Sequence, residues 1–133
     1  MQGCVIVAGD AEGELLVSSE PLSFWGGYDH QTGEIIDRRH PLSGQIAKGR
    51  ILAIPNTIGS STTTAVLLEA VRAGTAPAAI LTTSTDAFLA LASIVSGEMY
   101  NHPIPIVALT PEQFETLVSG AKATVRQDGT LLH

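Results

Sequence analysis

The sequence predicts a small mixed α/β domain with a short parallel sheet as its core and antiparallel hairpins at both ends. Three observations carry that expectation. Apolar runs at 51–54, 78–81 and 104–109 are continuous and too short for helices, the pattern of strands buried on both faces of a parallel sheet. The segments between these runs carry apolar residues at helical spacing, as parallel crossovers require. At each end of the chain, short runs flank turn signals instead. With 133 residues, no internal repeat and no second candidate core, the whole of 1–133 is expected to form one domain.

Residues 3–8 are rich in Val and Ile, and 15–17 follow a Gly9-Asp10-Ala11-Glu12-Gly13 turn, so the chain should open with two short strands joined as a hairpin. Cys4 reads as a small core residue of the first. Residues 20–49 form a long segment punctuated by Pro21, Gly26, Gly27, Gly33, Pro41 and Gly44, whose strand-like portion is Glu34-Ile35-Ile36; loops of this length are usually functional. After the strand at 51–54 come a polar loop and a helix over 65–74, beginning near Thr62 with Ser61 as its expected cap. Val66, Leu67, Ala70 and Val71 share its packed face, Glu69 and Arg72 stay outside, and Gly74 supplies the stop. A second helix is expected over 86–95, with Phe88, Leu89, Leu91, Ala92 and Val95 on its buried stripe and Gly97 as terminator. Thr110-Pro111-Glu112-Gln113 combines an N-cap, Pro in the first turn and a capping-box Gln, opening a short helix through Phe114, Leu117 and Val118. Asp128-Gly129 between 123–126 and 130–132 predicts a terminal hairpin.

Composition narrows the function. Seven basic residues, dispersed against 13 acidic ones for a net charge of −6, offer little to a phosphate backbone, so nucleic-acid binding is not expected. A charged share of 15% beside 44% hydrophobic residues leaves apolar surface for a partner. No apolar stretch approaches the roughly 20 residues of a membrane span and no leader signal opens the chain, so a soluble cytoplasmic protein without a membrane partner is expected. Cys4 is the only cysteine, and His30, His40, His102 and His133 are scattered, so no metal-ligand set is read in this chain.

Two segments could carry chemistry. In residues 55–64, Gly59 permits close backbone approach and Ser60, Ser61, Thr62, Thr63 and Thr64 open the helix, where free N–H groups favour a carboxylate or phosphate. Gly59, Ser61 and Thr62 are therefore candidate anion-holding residues; a helix cap and solvated hydroxyls explain the same pattern. The loop lacks the Lys of a Walker loop, and no Gly-x-Ser-x-Gly elbow supports a hydrolase triad of Ser60 with His40. The second segment, Phe24-Trp25-Gly26-Gly27-Tyr28-Asp29 continuing to His40, gathers the one Trp beside paired glycines. That suits an interface in which Trp25, Gly26, Gly27, Asp29 and His40 face a partner, and equally a plug in which Phe24 and Trp25 close the core.

Taken together, Phe24-Trp25-Gly26-Gly27 with Asp29, Thr32-Gly33 and Ile36-Asp37, then His40-Pro41-Leu42, then Gly49-Arg50-Ile51-Leu52-Ala53-Ile54-Pro55 leading to Gly59-Ser60, resemble the small swivel subunit or domain of the aconitase X family. The resemblance is dense from about 23 to 81 and rests on element order beyond that. It implies a swivelling β/β/α domain docked on a large catalytic subunit that carries an iron–sulfur cluster or iron. The pair would be a hydro-lyase acting on a small hydroxy acid, as family members do on cis-3-hydroxy-L-proline and mevalonate 5-phosphate. It further implies that Ser60, following the loop glycine, projects into the shared active site as the proton-transfer group. Elimination of water needs a base for a C–H proton and a Lewis acid for the departing hydroxyl, and only the first could come from a chain with one cysteine. Where the family loop reads Gly-Arg-Gly-Ser this chain has Thr57-Ile58-Gly59-Ser60, and Ile58 cannot make the bidentate pair of an Arg. Two readings follow: a hydro-lyase subunit, and a noncatalytic anion-binding or assembly module on the same fold.

Overall fold

The computed structural model describes residues 1–58, 61–84 and 87–133, with Ser61 described as backbone alone. In chain order the elements are β1 (Cys4–Val7), β2 (Ala11–Val17), β3 (Leu22–Ser23), the single turn α1 (Phe24–Gly27), β4 (Ile51–Ala53), β5 (Thr57–Ile58), α2 (Ser61–Ala73), β6 (Ala79–Thr82), α3 (Ala87–Tyr100), β7 (Ile106–Ala108), α4 (Pro111–Glu115), β8 (Lys122–Val125) and β9 (Leu131–Leu132). A seven-stranded sheet runs β1-β7-β6-β4-β2-β8-β9, and β3 and β5 form a separate two-stranded ladder.

The three expected parallel strands are β4, β6 and β7, and β2 joins them as a fourth. Their continuous apolar runs are explained by burial on both faces, since successive side chains of a strand point to opposite sides. Leu16, Leu52, Ile54, Ile80 and Ile106 meet Val66, Leu67, Ala70, Val71, Leu89 and Ala92 of α2 and α3 on one face. Leu15, Ile51, Leu81 and Val107 meet Phe114, Leu117, Val125 and Leu131 on the other. Antiparallel strands extend both edges, β1 on β7 and β8 on β2, with β9 following in the Asp128-Gly129 hairpin. The two edges then meet. Gly3 N–H donates to Gly129 O (3.0 Å), Leu131 N–H donates to Met1 O (2.8 Å), and Gln2 bridges Thr130. The sheet curls on itself, which satisfies groups that open edges would expose.

Several expectations are corrected. β1 and β2 do not pair as a hairpin: β1 lies on β7 while β2 sits between β4 and β8. Leu15 and Leu16 are both buried, and only an interior strand covers both faces. Cys4, on the edge strand, is exposed rather than in the core. α2 begins at Ser61, which therefore stands inside the helix and does not precede it as a cap. α3 runs past Gly97, which packs against Pro103, and stops before Asn101 at φ 52°. Its buried stripe is Leu89, Ala92, Ser93 and Ser96, so Phe88 and Leu91 face outward. The serines can point inward because their hydroxyls are bonded: Ser93 Oγ donates to Ile104 O and accepts from Ile104 N–H, and Ser96 Oγ donates to Ala92 O. The start expected at Asp86 lies outside the described residues. The short helix also ends earlier than expected, at Glu115, although its capping box is complete.

Candidate functional site

β3 and β5 run parallel, with Leu22 opposite Thr57 and Ser23 opposite Ile58, and Leu22 N–H donates to Asn56 O (3.3 Å). β3 ends where Phe24-Trp25-Gly26-Gly27 begins, and β5 ends where Gly59-Ser60 begins. The ladder thereby brings the two singled-out segments side by side. Two-residue strands carry no readable periodicity, so this pairing had no signal in the sequence.

The first segment folds largely on itself. Phe24 is fully buried against Tyr28, ring centroids 5.2 Å apart at 42°. The Tyr28 hydroxyl donates to Thr75 O (2.7 Å), and burial raises its pKa well above the usual tyrosine range. Asp29 Oδ1 accepts from Gln31 N–H (2.8 Å), and the Asp29 carbonyl accepts from Gly33 N–H (2.7 Å). Gly33 is needed there: its φ is 80°, and a Cβ would stand 2.8 Å from Thr75 O. His40 is buried, its Nδ1 accepting from Leu42 N–H (3.1 Å) and its Nε2 lacking a partner. Trp25 is the exception, 68% exposed, beside Gly26 at φ 77° with open space around its Cα. The structure thus places Trp25 and Gly26 on the surface, Asp29 half-buried, and Gly27 and His40 inside. Phe24 plugs the core, and Trp25 does not. A cleft of roughly 500 Å³ opens between Trp25, Gly26, Asp29, Ile36 and Val66.

The second segment is anchored through one carbonyl. Pro55 O accepts from Thr82 Oγ1 (2.8 Å), Thr83 Oγ1 (3.0 Å), Ser84 Oγ (3.3 Å) and Thr83 N–H (3.1 Å). Thr82, Thr83 and Ser84 were not singled out above; a hydroxyl run between a buried strand and a helix was the available signal. Thr64 Oγ1 donates to Phe88 O (2.9 Å), tying the first turns of α2 and α3 together. Thr62 is half-buried, while Thr63 is fully buried with an unpartnered Oγ1. No acidic side chain lies in the first turn of α2 to neutralise its positive dipole end. Gly59, Ser60 and the side chain of Ser61 lie outside the described residues. Both helices start at the carboxyl ends of parallel strands, where α/β sheets bind ligands.

Among the described residues no three His, Cys, Asp or Glu side chains converge, and Cys4 is exposed on β1; these donors do not fit an iron or iron–sulfur centre. No helix among them is long and apolar enough to cross a membrane.

A curled mixed sheet whose parallel strands carry α2 and α3 on one face, with a hydroxyl-rich helix start at its strand ends, has the architecture of a swivel domain. The family model of the aconitase X swivel domain matches residues 1–133, and the chain belongs to that family. It is 47% identical over 128 residues to cis-3-hydroxy-L-proline dehydratase of Pseudomonas aeruginosa, a match covering 96% of this chain and 22% of that protein. It is 36% identical over 124 residues to the phosphomevalonate dehydratase small subunit of Methanothermobacter thermautotrophicus, covering 92% of this chain and 95% of that one. Its fold matches the crystal structure of Thermococcus kodakaraensis aconitase X in the holo-form with a TM-score of 0.87 at 33% identity, over 99% of this chain and 97% of that chain. The chain therefore spans about a fifth of the first relative and nearly all of the second.

Proposed function

We propose that residues 1–133 act as one swivel domain, the small subunit of an aconitase X-type hydro-lyase that works with a large catalytic chain to remove water from a small hydroxy acid. The observation that carries this reading is the β3–β5 ladder, which sets exposed Trp25 beside the hydroxyl-rich start of α2. Relatives of both kinds, the longer chain and the small subunit, are named dehydratases. Ser60 is the proton-transfer group. A serine hydroxyl is a poor base in water, but at a helix start in a closed, dry site its alkoxide is stabilised by fixed N–H dipoles. Gly59, Ser61 and Thr62 hold the substrate's carboxylate, and Trp25 and Gly26 face the large chain, with Gly27, Asp29 and His40 shaping the loop behind them. Any iron centre belongs to the large chain. Ile58 is exposed and apolar, so this chain brings no cation of its own to a phosphate there. That favours a substrate with a single carboxylate, and cis-3-hydroxy-L-proline is the first to assay.

The test is reconstitution with the large chain of the same organism, identified by its match to the part of the Pseudomonas aeruginosa enzyme that this chain does not cover. The complex should dehydrate cis-3-hydroxy-L-proline, and Ser60→Ala should lower turnover by at least about 10²-fold with little change in stability. Dehydration by the purified small chain alone would sink the two-chain reading. Full turnover by Ser60→Ala would leave the anion-binding or assembly module as the better account.

A further inference from the structure

We infer that the outward face of α3 is a docking surface for the large chain, continuous with the Trp25 side of the site; the inference rests on the two-chain reading above. α3 turns two serines inward with Leu89 and Ala92, and turns four large apolar residues outward. Leu91 is 47% exposed, Ile94 54% and Met99 63%, while Ser93 and Ser96 are fully buried. Phe88 joins the exposed side: Phe88, Leu91 and Ile94 follow at three-residue steps, and Met99, eleven residues or about three turns past Phe88, returns to the same side. Glu98, exposed four residues past Ile94 at the edge of this side, is the one charged residue between 87 and 100. α2, against the same face of the sheet, shows what the fold presents to water: its outward side carries the Glu69–Arg72 ion pair at 2.8 Å. A helix apolar on both sides is a helix covered on both sides. Soluble monomers rarely leave such a contiguous stripe bare.

Three arguments assign the large chain as the cover. The Pseudomonas aeruginosa relative carries this domain as 22% of its length, joined to a remainder several times larger, and the Methanothermobacter thermautotrophicus relative is named a small subunit. The stripe also begins at the site: Phe88 O accepts from Thr64 Oγ1 in the first turn of α2 (2.9 Å), and exposed Ile58 and Trp25 flank the same helix start through the β3–β5 ladder. A second copy of this chain is disfavoured by its net charge of −6, which pairing would double. Contact on α3 and on the Trp25 side would bracket the start of α2, so that assembly sets its position against the large chain.

The experiment is calorimetric binding of the same large chain to the double variant Leu91→Glu/Ile94→Glu. Both side chains point outward, so the isolated variant should unfold as the wild type does. Its Kd should rise at least about 100-fold, the effect of losing a buried apolar hot spot. Val118→Glu, at a still more exposed apolar position following α4, should bind as the wild type does. Should the double variant fail to fold, Leu91→Ser and Ile94→Ser read the same face singly and should each weaken binding. Wild-type affinity in the α3 variants, or an equal loss in Val118→Glu, overturns the inference while leaving the two-chain reading intact. So does loss of self-association in the double variant with large-chain binding unchanged, which would make a second copy the occupant. Failure of the wild type to bind the large chain overturns both.

Discussion

The segment from 24 to 47 and the segment from 55 to 64 lie side by side and use their polar groups differently. In the first, Tyr28, Asp29, Thr32 and Asp37 all use their side chains in hydrogen bonds within the fold, and His40 does so through Nδ1 while its buried Nε2 has no partner. Trp25 is the most exposed of the large apolar side chains it sends outward, ahead of Ile36 and Ile46. In the second, a carbonyl with two lone pairs faces four donors at Pro55, and Thr63 buries a hydroxyl with no acceptor. An unpaired buried hydroxyl costs on the order of 1–3 kcal/mol, and a fold keeps such a cost mainly where function offsets it. Each segment thus buries one unpaired polar atom, His40 Nε2 and Thr63 Oγ1; the first is otherwise scaffold that exposes Trp25, whereas the second gathers its hydroxyls at one helix start and one carbonyl.

The largest test of this contrast lies between neighbours. Phe24→Ala opens a cavity under Tyr28 and should cost about 3–5 kcal/mol in chemical denaturation. Trp25→Ala should stay within about 0.5 kcal/mol, since an exposed side chain leaves no hole. As the only tryptophan, Trp25 should change its fluorescence on titration with the large chain. An unchanged spectrum together with normal binding by Trp25→Ala would make the whole segment scaffold.

Tyr28→Phe is the next in size. It removes the hydrogen bond to Thr75 O and should cost about 1 kcal/mol at neutral pH. Burial raises the Tyr28 pKa, so the folded state keeps the neutral phenol when the unfolded chain ionises. The contribution is therefore complete below about pH 10 and declines as pH rises further. Stability measured against pH should fall more steeply in the wild type than in Tyr28→Phe above that point, and parallel curves would mean that Tyr28 does not ionise differently in the two states.

What could be read from the sequence divides along the range of the interaction. The Thr110–Gln113 capping box is reciprocal in the structure, Thr110 Oγ1 accepting from Gln113 N–H (3.1 Å) and Gln113 Oε1 from Thr110 N–H (3.0 Å), because both partners lie within one turn. The Asp128-Gly129 hairpin and the packed face of α2 were legible for the same reason. The position of β1 was not, since its partner β7 lies at the far end of the chain and nothing local distinguishes that pairing from a hairpin with β2. α3 defeated the periodicity argument because a helix apolar on both sides has no preferred face, and two self-satisfied serines chose it. At the site, the hydroxyl-rich start of α2 was visible. The Pro55 anchor was not, because Thr82, Thr83 and Ser84 meet that carbonyl across 27 to 29 residues of chain.

That anchor sharpens the contrast at a smaller scale. Thr82→Val removes the shortest side-chain bond to Pro55 O, where three donors remain, and also the oxygen that accepts from Ser84 N–H (3.3 Å), so the loss should stay near the roughly 1 kcal/mol of one ordinary buried hydrogen bond. Thr82→Ser should restore it. A loss well above that value in thermal unfolding would show that the donors act cooperatively and that the carbonyl has no capacity to spare.

The smallest effect is expected at Ser61, and there the sign decides. With α2 beginning at Ser61, this residue has helical backbone, and replacing serine by alanine within a helix gains up to about 0.5 kcal/mol from propensity. If Ser61 instead capped a helix starting at Thr62, the same change would cost about 1 kcal/mol by removing the oxygen that accepts from the first turn. Thermal unfolding of Ser61→Ala separates the two by direction as well as size. A neutral or slightly stabilised variant that keeps its turnover in the complex would mean that residue 61 serves the site through its backbone N–H, which alanine retains. A destabilised one would move the helix start forward by a residue and return the capping role to the Ser61 hydroxyl.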